Sequence, residues 1–400
     1  LAFYPLDASR KGDKDRDTEN AKDSLKSRHV YMRETLIESI GGLPPMDTPL
    51  HAKTTGVQSC SGYQIEKVIF ESRPENYVTG NLYIPDDITS PSGAVLFMCG
   101  HSEQGKQHPQ YQMVCQYLVQ SGLIVFAIDP IGQGERLSYY ESDLQMPTIK
   151  PCTIEHDYAG SQCLPIGDNL AKYFVHDGMR AIDYLCQRSE VDPNRIGVTG
   201  NSGGGTQTSL MMICDQRIAA AAPGTFIMNR ETYMYAGGAQ DAEQIWPGMT
   251  ALGFDHEDIL MSMVPRPVRV LAAQYDYFPI EGTRRTVDRV SRFWQLFDKD
   301  ENIDLVEDAS VHSYSQKLAK AAGEFFAKHL LDRKVNLEAF TPRPFPPSAL
   351  WCTSSGQIRQ EFKKVRSVYE ENVERLEEVN KCRANKDSKE GVEVELITVF

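Results

Sequence analysis

Residues 195–214 read RIGVTGNSGGGTQTSLMMIC, and the architecture can be worked outward from how that stretch must fold. Arg195–Thr199 is a short run suited to a strand. Gly203–Cys214 carries a Pro-free apolar run suited to a helix. Between them lies Gly200-Asn201-Ser202-Gly203-Gly204, a G-x-S-x-G pentapeptide. A serine at the tip of so sharp a strand-to-helix turn sits in strained backbone. Its neighbours must be small, because strand and helix converge there. Gly200 and Gly204 meet that demand. The helix starting behind Ser202 aims N–H groups and its positive dipole end at the site, which favours developing negative charge. Ser202 is therefore the candidate nucleophile.

The elements on either side repeat one pattern. Gln64–Ser72 and Tyr77–Ile84 read as extended segments, the second alternating as an antiparallel strand would. Ala94–Met98 (AVLFM) and Leu123–Ile128 (LIVFAI) are continuous apolar runs, the mark of buried parallel strands. A helix is expected between them at 108–121, and another over Asn169–Gln187. Beyond the elbow come strands at Ala219–Ala222, Val268–Ala273 and Ile303–Val306, with helices at Thr283–Leu296 and Ser315–Leu331. The expectation is a mostly parallel eight-stranded sheet with helices on both faces. Sites in such sheets lie at the carboxyl ends of the strands.

A serine hydroxyl needs a base to take its proton and a carboxylate to orient that base. Asp276 follows the strand VRVLAAQ, and His312 follows the last strand, both at carboxyl ends. The chain order Ser202, Asp276, His312 is the one this architecture uses. His329 falls inside the last helix, and Asp255-His256-Glu257-Asp258 reads as a helix start with capping acids. Glu281 is the runner-up acid, with helix capping as its simpler role. The first oxyanion donor is the N–H of Gly203. The second is that of His101 or Ser102, in the loop Cys99-Gly100-His101-Ser102. Two insertions, 137–168 and 228–252, are long enough to cover the pocket. The second offers Tyr235, Gln244 and Trp246 as candidate substrate contacts.

A competing motif overlaps that loop. Gly100 to Gln107 nearly matches the phosphate loop G-x-x-x-x-G-K-[ST], which would make Gly100–Lys106 a nucleotide site. Gln107 stands where a hydroxyl should hold Mg²⁺, and this reading leaves the Ser/Asp/His series unexplained.

The chain has 400 residues and a net charge of -13, which argues against nucleic acid and anionic membranes as partners. No apolar run reaches membrane-spanning length. Nine scattered cysteines, an odd number, suggest reduced thiols, and no Cys/His cluster suggests a metal. A cytoplasmic protein is expected, a secreted form with its signal removed being the alternative. Residues 8–28 are dense in charge and read as an exposed arm, followed by a helix at 29–41. The chain divides into arm and first helix (1–62), catalytic domain (63–333), and a Pro-rich linker with a helical C-terminal extension (334–400) that ends on the strand-like EVELITVF.

The segments YVTGNLYIP, AVLFMCGHSEQGK, FAIDPIGQGER, VDPNRIGVTGNSGGG, FDHEDILMSMVPRPV and QYDYFPI resemble the acetyl xylan esterase-like branch of the α/β-hydrolases. They are also similar to prolyl-oligopeptidase-type esterases. The resemblance spans roughly residues 30–333. It implies an α/β-hydrolase fold and a serine carboxylesterase that removes small acyl groups, acetyl above all, from carbohydrate or other small-molecule esters without a cofactor or metal. By position it implies Ser202 as nucleophile, Asp276 as acid and His312 as base. A serine peptidase of prolyl-oligopeptidase type is the alternative on the same triad.

Overall fold

A computed structural model describes residues 3–238 and 240–387. Its frame is one nine-stranded sheet. In chain order the strands are β1 (Lys53–Ser59), β2 (Tyr63–Arg73), β3 (Asn76–Pro85), β4 (Ser92–Met98) and β5 (Ile124–Ile128). A two-residue hairpin, β6 (Tyr140–Glu141) with β7 (Met146–Pro147), stands apart in the first insertion. The sheet resumes with β8 (Val191–Asn201), β9 (Ile218–Gly224), β10 (Val268–Tyr275) and β11 (Ile303–Val311). Spatial order is β1-β2-β3-β5-β4-β8-β9-β10-β11. β1, β2 and β3 pair antiparallel, and β3 joins β5 antiparallel. From β5 to β11 every pairing is parallel. This is the α/β-hydrolase fold.

The sheet has one strand more than the expected eight. The addition is β1, inside the stretch assigned to the arm. Its sequence KTTGVQS is almost wholly exposed, so no apolar alternation announced it. It is an edge strand held by backbone pairing to β2.

The helices follow from where apolar groups can be buried. α5 (Leu170–Gln187), α6 (Gly203–Cys214) and α9 (Ile280–Gln295) cover one face of the sheet. α3 (Pro109–Gln120) and α10 (Gln316–Leu331) cover the other. The continuous run Ala94–Met98 is buried on both sides, as a central parallel strand should be.

The charged N-terminal stretch is not an exposed arm. Phe3–Thr18 and Lys22–Ser39 are helices, and Arg16 is fully buried. Its guanidinium donates to Glu257 Oε2 (2.9 Å), Asp258 Oδ2 (2.7 Å) and the Gly253 carbonyl (2.9 Å). Those acids open the short helix α8 (His256–Met261), which Asp255 and Asp258 cap. A charge-dense segment looks solvated until partners far along the chain are known, and here they lie some 240 residues away.

Residues after 333 also pack onto the body. Glu135 accepts from the backbone N–H of Cys352 (2.8 Å) and of Thr353 (2.8 Å) and from the Thr353 hydroxyl (2.6 Å). The same carboxylate pairs with buried Lys106 at 2.6 Å, and Lys106 also meets Asp129 at 2.6 Å. Lys106 is thus an interior cation consumed by two carboxylates. This counts against the nucleotide-site reading of Gly100–Lys106: the lysine that would reach a phosphate is already paired. Further on, Glu371 pairs with buried Arg73 at 2.8 Å. The strand-like 393–400 lies outside the described residues. Among the described residues no helix is long and apolar enough to cross a membrane.

Candidate active site

The elbow forms as its glycines require. Ser202 sits at φ 60°, ψ -119°, between β8 and α6. A Cβ on Gly200 would lie 2.3 Å from the Met98 carbonyl oxygen, and one on Gly204 only 2.1 Å from it. Neither position admits another residue without moving β4. The strained turn is held from the next strand. The Ser202 N–H donates to the Gly224 carbonyl at 3.0 Å and to Thr225 Oγ1 at 3.2 Å. Thr225 in turn donates to Asn201 Oδ1 at 2.8 Å. Strain at one residue persists when surrounding bonds over-determine it, as they do here.

Asp276 follows β10 and His312 follows β11. His312 Nδ1 lies 2.8 Å and 3.0 Å from the two Asp276 oxygens. The carboxylate is nearly sealed from solvent, while the imidazole is partly open. A carboxylate on Nδ1 makes that nitrogen the donor and leaves Nε2 as the basic one. Ser202 and His312 line one cavity of about 630 Å³.

Tyr277, adjacent to Asp276, closes this group. Its ring lies 4.2 Å from the His312 ring, tilted by 34°. Partial burial raises its pKa above the usual tyrosine value, and it lines the same cavity as Ser202. Sequence reading passed over it, because a tyrosine beside a triad acid carries no motif. Its position one residue after Asp276, at a strand's carboxyl end, was the available signal.

The loop after β4 is pinned near the elbow. Gln207 donates to the Cys99 carbonyl (2.9 Å), and Gln133 donates to those of Gly100 (2.8 Å) and Ser102 (3.0 Å). The His101 ring lies over Gly203, where an added Cβ would meet its Nε2 at 2.9 Å. His101 lines the cavity, whereas Ser102 is not among the lining residues.

Of the three candidate substrate contacts, only Gln244 reaches the cavity wall. Trp246 is 7% exposed and stacks on Phe254, with ring centroids 5.3 Å apart. Tyr235 is 72% exposed and faces solvent. Tyr233, two residues before it, lines the cavity in its place, since the helix α7 (Arg230–Ala236) turns that side inward. Behind His101 the two insertions meet: Glu243 lies between His101 and His156. Burial alone would raise the Glu243 pKa, but the two imidazoles bring it well below the usual carboxylate range. A larger open cleft, about 1140 Å³ between residues 59–63, 116–122 and 339–346, holds none of these groups.

Fold and site together define an α/β-hydrolase with a serine, histidine and aspartate assembled at the carboxyl ends of its strands. Comparison with known proteins agrees on the fold. The prolyl oligopeptidase family profile matches residues 165–250, which contain the elbow. YtaP of Bacillus subtilis (strain 168), assigned as a hydrolase, is 24% identical over 196 residues, covering 46% of this chain and 60% of that protein. Esterase FrsA of Photorhabdus laumondii subsp. laumondii is 35% identical over 80 residues, 20% of this chain and 19% of that protein. Both matches leave a third or more of the relative's length uncovered. Among solved structures, Methylesterase BT1017 superposes with a TM-score of 0.72 at 19% identity, covering 96% of this chain and 81% of that one. A Bacteroides fragilis protein assigned as an acetyl xylan esterase gives 0.59 at 18%, over 73% and 77% of the two chains. A glucuronoyl esterase from Solibacter usitatus gives 0.56 at 15%, over 78% and 94%.

Proposed function

We propose that the protein is a serine carboxylesterase acting on small esters, with an acyl-enzyme on Ser202. The observation that carries this reading is the strained Ser202 facing the same cavity as the His312–Asp276 pair. His312 Nε2 takes the Ser202 proton as the oxygen attacks the ester carbonyl. N–H groups of Gly203 and of the His101 loop receive the oxyanion. The proton then passes to the leaving alcohol, and water repeats the sequence to release the acid. No step calls for a cofactor.

A carbohydrate ester suits the walls. Tyr233, Tyr277 and Gln244 line the cavity with Ser202, and aromatic and amide groups are the surfaces that hydroxylated rings bind. The names of the structural neighbours support the same class: methyl, acetyl and glucuronoyl esterases. The family profile favours a second reading, a peptidase on the same triad.

One experiment separates them. Hydrolysis of p-nitrophenyl acetate, longer acyl esters and prolyl peptides is compared, with and without a fluorophosphonate. Fast acetate release, abolished by a label that maps to Ser202, is the expected result. Peptide cleavage without ester preference would move the assignment to the peptidase. Unlabelled Ser202 would remove the mechanism.

A further inference from the structure

The roof of the cavity contains a second cluster that the ester chemistry does not use. His101 comes from the loop after β4, His156 from α4 (Thr153–Cys163) in the first insertion, and Glu243 from a short turn in the second. His101 Nε2 is 2.6 Å from Glu243 Oε1, and His156 Nδ1 is 3.1 Å from Glu243 Oε2. One ligand-type atom from each of the three lies within 4.8 Å of the others. Asp241 adds an outer carboxylate, 3.5 Å from His101 Nδ1.

The protons decide what this cluster can hold. His156 Nε2 faces the Ile131 carbonyl at 2.8 Å. A carbonyl only accepts, so Nε2 carries a hydrogen there. The other nitrogen, Nδ1, points at Glu243 Oε2, yet neither atom makes an aligned hydrogen bond. Both side chains are 1% exposed. Two buried polar atoms 3.1 Å apart with no aligned hydrogen bond between them call for a partner, and an electropositive centre beside both would satisfy them. An imidazole that donates one N–H to a backbone carbonyl and turns the other nitrogen inward is the usual arrangement of a metal-bound histidine.

The geometry points to a binding site for a first-row divalent cation of the zinc type, held by His101, His156 and Glu243. Two imidazoles and a carboxylate suit that class. Ligands at about 2.1 Å from a tetrahedral ion stand about 3.4 Å apart, so the close pair opens by less than an ångström. Glu243 and Asp241 balance the added charge. The site is independent of the esterase reading. Because the His101 ring abuts Gly203, a cation there also fixes the loop beside Ser202.

The test uses the full chain with ZnCl₂ or CoCl₂ alone. Calorimetry should show one equivalent bound. Bound Co²⁺ should give the visible absorption of a four-coordinate nitrogen and oxygen site. Zn²⁺ should raise the melting temperature, as any ligand of the native state does. His101→Ala, His156→Asn and Glu243→Gln should each weaken binding about a hundredfold or more, equivalent to about 2.7 kcal/mol. His101 is partly exposed, so His101→Ala remains informative if the two buried variants fail to fold. No Co²⁺ band in the wild-type protein, or equal affinity in folded His101→Ala, overturns the proposal and leaves the cluster as a hydrogen-bonded brace.

Discussion

Two carboxylate–imidazole pairs flank the cavity, and they match in almost every static property. His312 is 19% exposed with Asp276 at 2%, and His101 is 18% exposed with Glu243 at 1%. The bonds are 2.8 Å and 2.6 Å. They differ in which nitrogen is engaged. Asp276 takes Nδ1 of His312 and leaves Nε2 for Ser202. Glu243 takes Nε2 of His101, and Asp241 stands by the remaining nitrogen. Glu243 moreover stands 3.1 Å from His156 Nδ1, whereas no second histidine is paired with Asp276 among the described residues. A base needs one free nitrogen within reach of the proton it accepts. The first pair leaves Nε2 uncommitted among the described residues, on the cavity that Ser202 also lines. The second has its nitrogens committed, so it is a brace or a cation cradle.

The sharpest way to break this comparison is the same change on both sides. Asp276→Asn should lower kcat about 10⁴-fold with the fold intact, because the imidazole loses its orienting acceptor. Glu243→Gln should lower it only about tenfold, near 1.4 kcal/mol, by loosening the His101 loop. Steady-state kinetics on both variants, with circular dichroism to check folding, decides it. Equal losses would make the second pair part of the proton path.

A third buried carboxylate sharpens the contrast, since it serves the fold alone. Asp177 pairs with Arg73 at 2.8 Å and Arg136 at 2.7 Å. Burial would raise its pKa, but the two guanidiniums lower it from 3.8 to about 2. Its stabilisation is present above the unfolded value and disappears as the pH falls from about 4 toward 2. That shift is worth roughly 2 kcal/mol. Asp177→Asn should cost about 3–5 kcal/mol at neutral pH, by leaving arginine charge uncompensated, and should flatten the acid limb of unfolding. Denaturant titration across pH measures both. An unchanged acid limb would contradict this assignment.

The smallest effect is expected at Tyr277. Removing the hydroxyl that lines the cavity beside Ser202 should make Tyr277→Phe slower by about three- to tenfold, with KM little changed, because the ring still packs on His312. A rise in KM alone would make Tyr277 a substrate contact.

How much of this was legible in the sequence depended on locality. The elbow could be read because its strand, turn and helix are contiguous. Asp276 and His312 could be read because each directly follows a strand. The brace could not, since His101, His156 and Glu243 are 142 residues apart at the extremes and share no motif. Trp246 was misplaced for a different reason. Aromatic residues fill insertions as readily as they bind ligands, and this one packs on Phe254. Arg16 and β1 were missed because partner charges and edge pairing leave no period in the chain itself.

The bonds from Cys352 and Thr353 to Glu135 carry a consequence for synthesis. The last strand of the sheet ends at Val311, and α10 ends at Leu331. By then Ser202, Asp276 and His312 have all been made. The carboxylate paired with Lys106 still lacks three of its donors until residue 353 has left the ribosome. The interior therefore closes late in translation. A chain truncated near residue 340 should hold its sheet in order while a charged pair at its centre stays open to water.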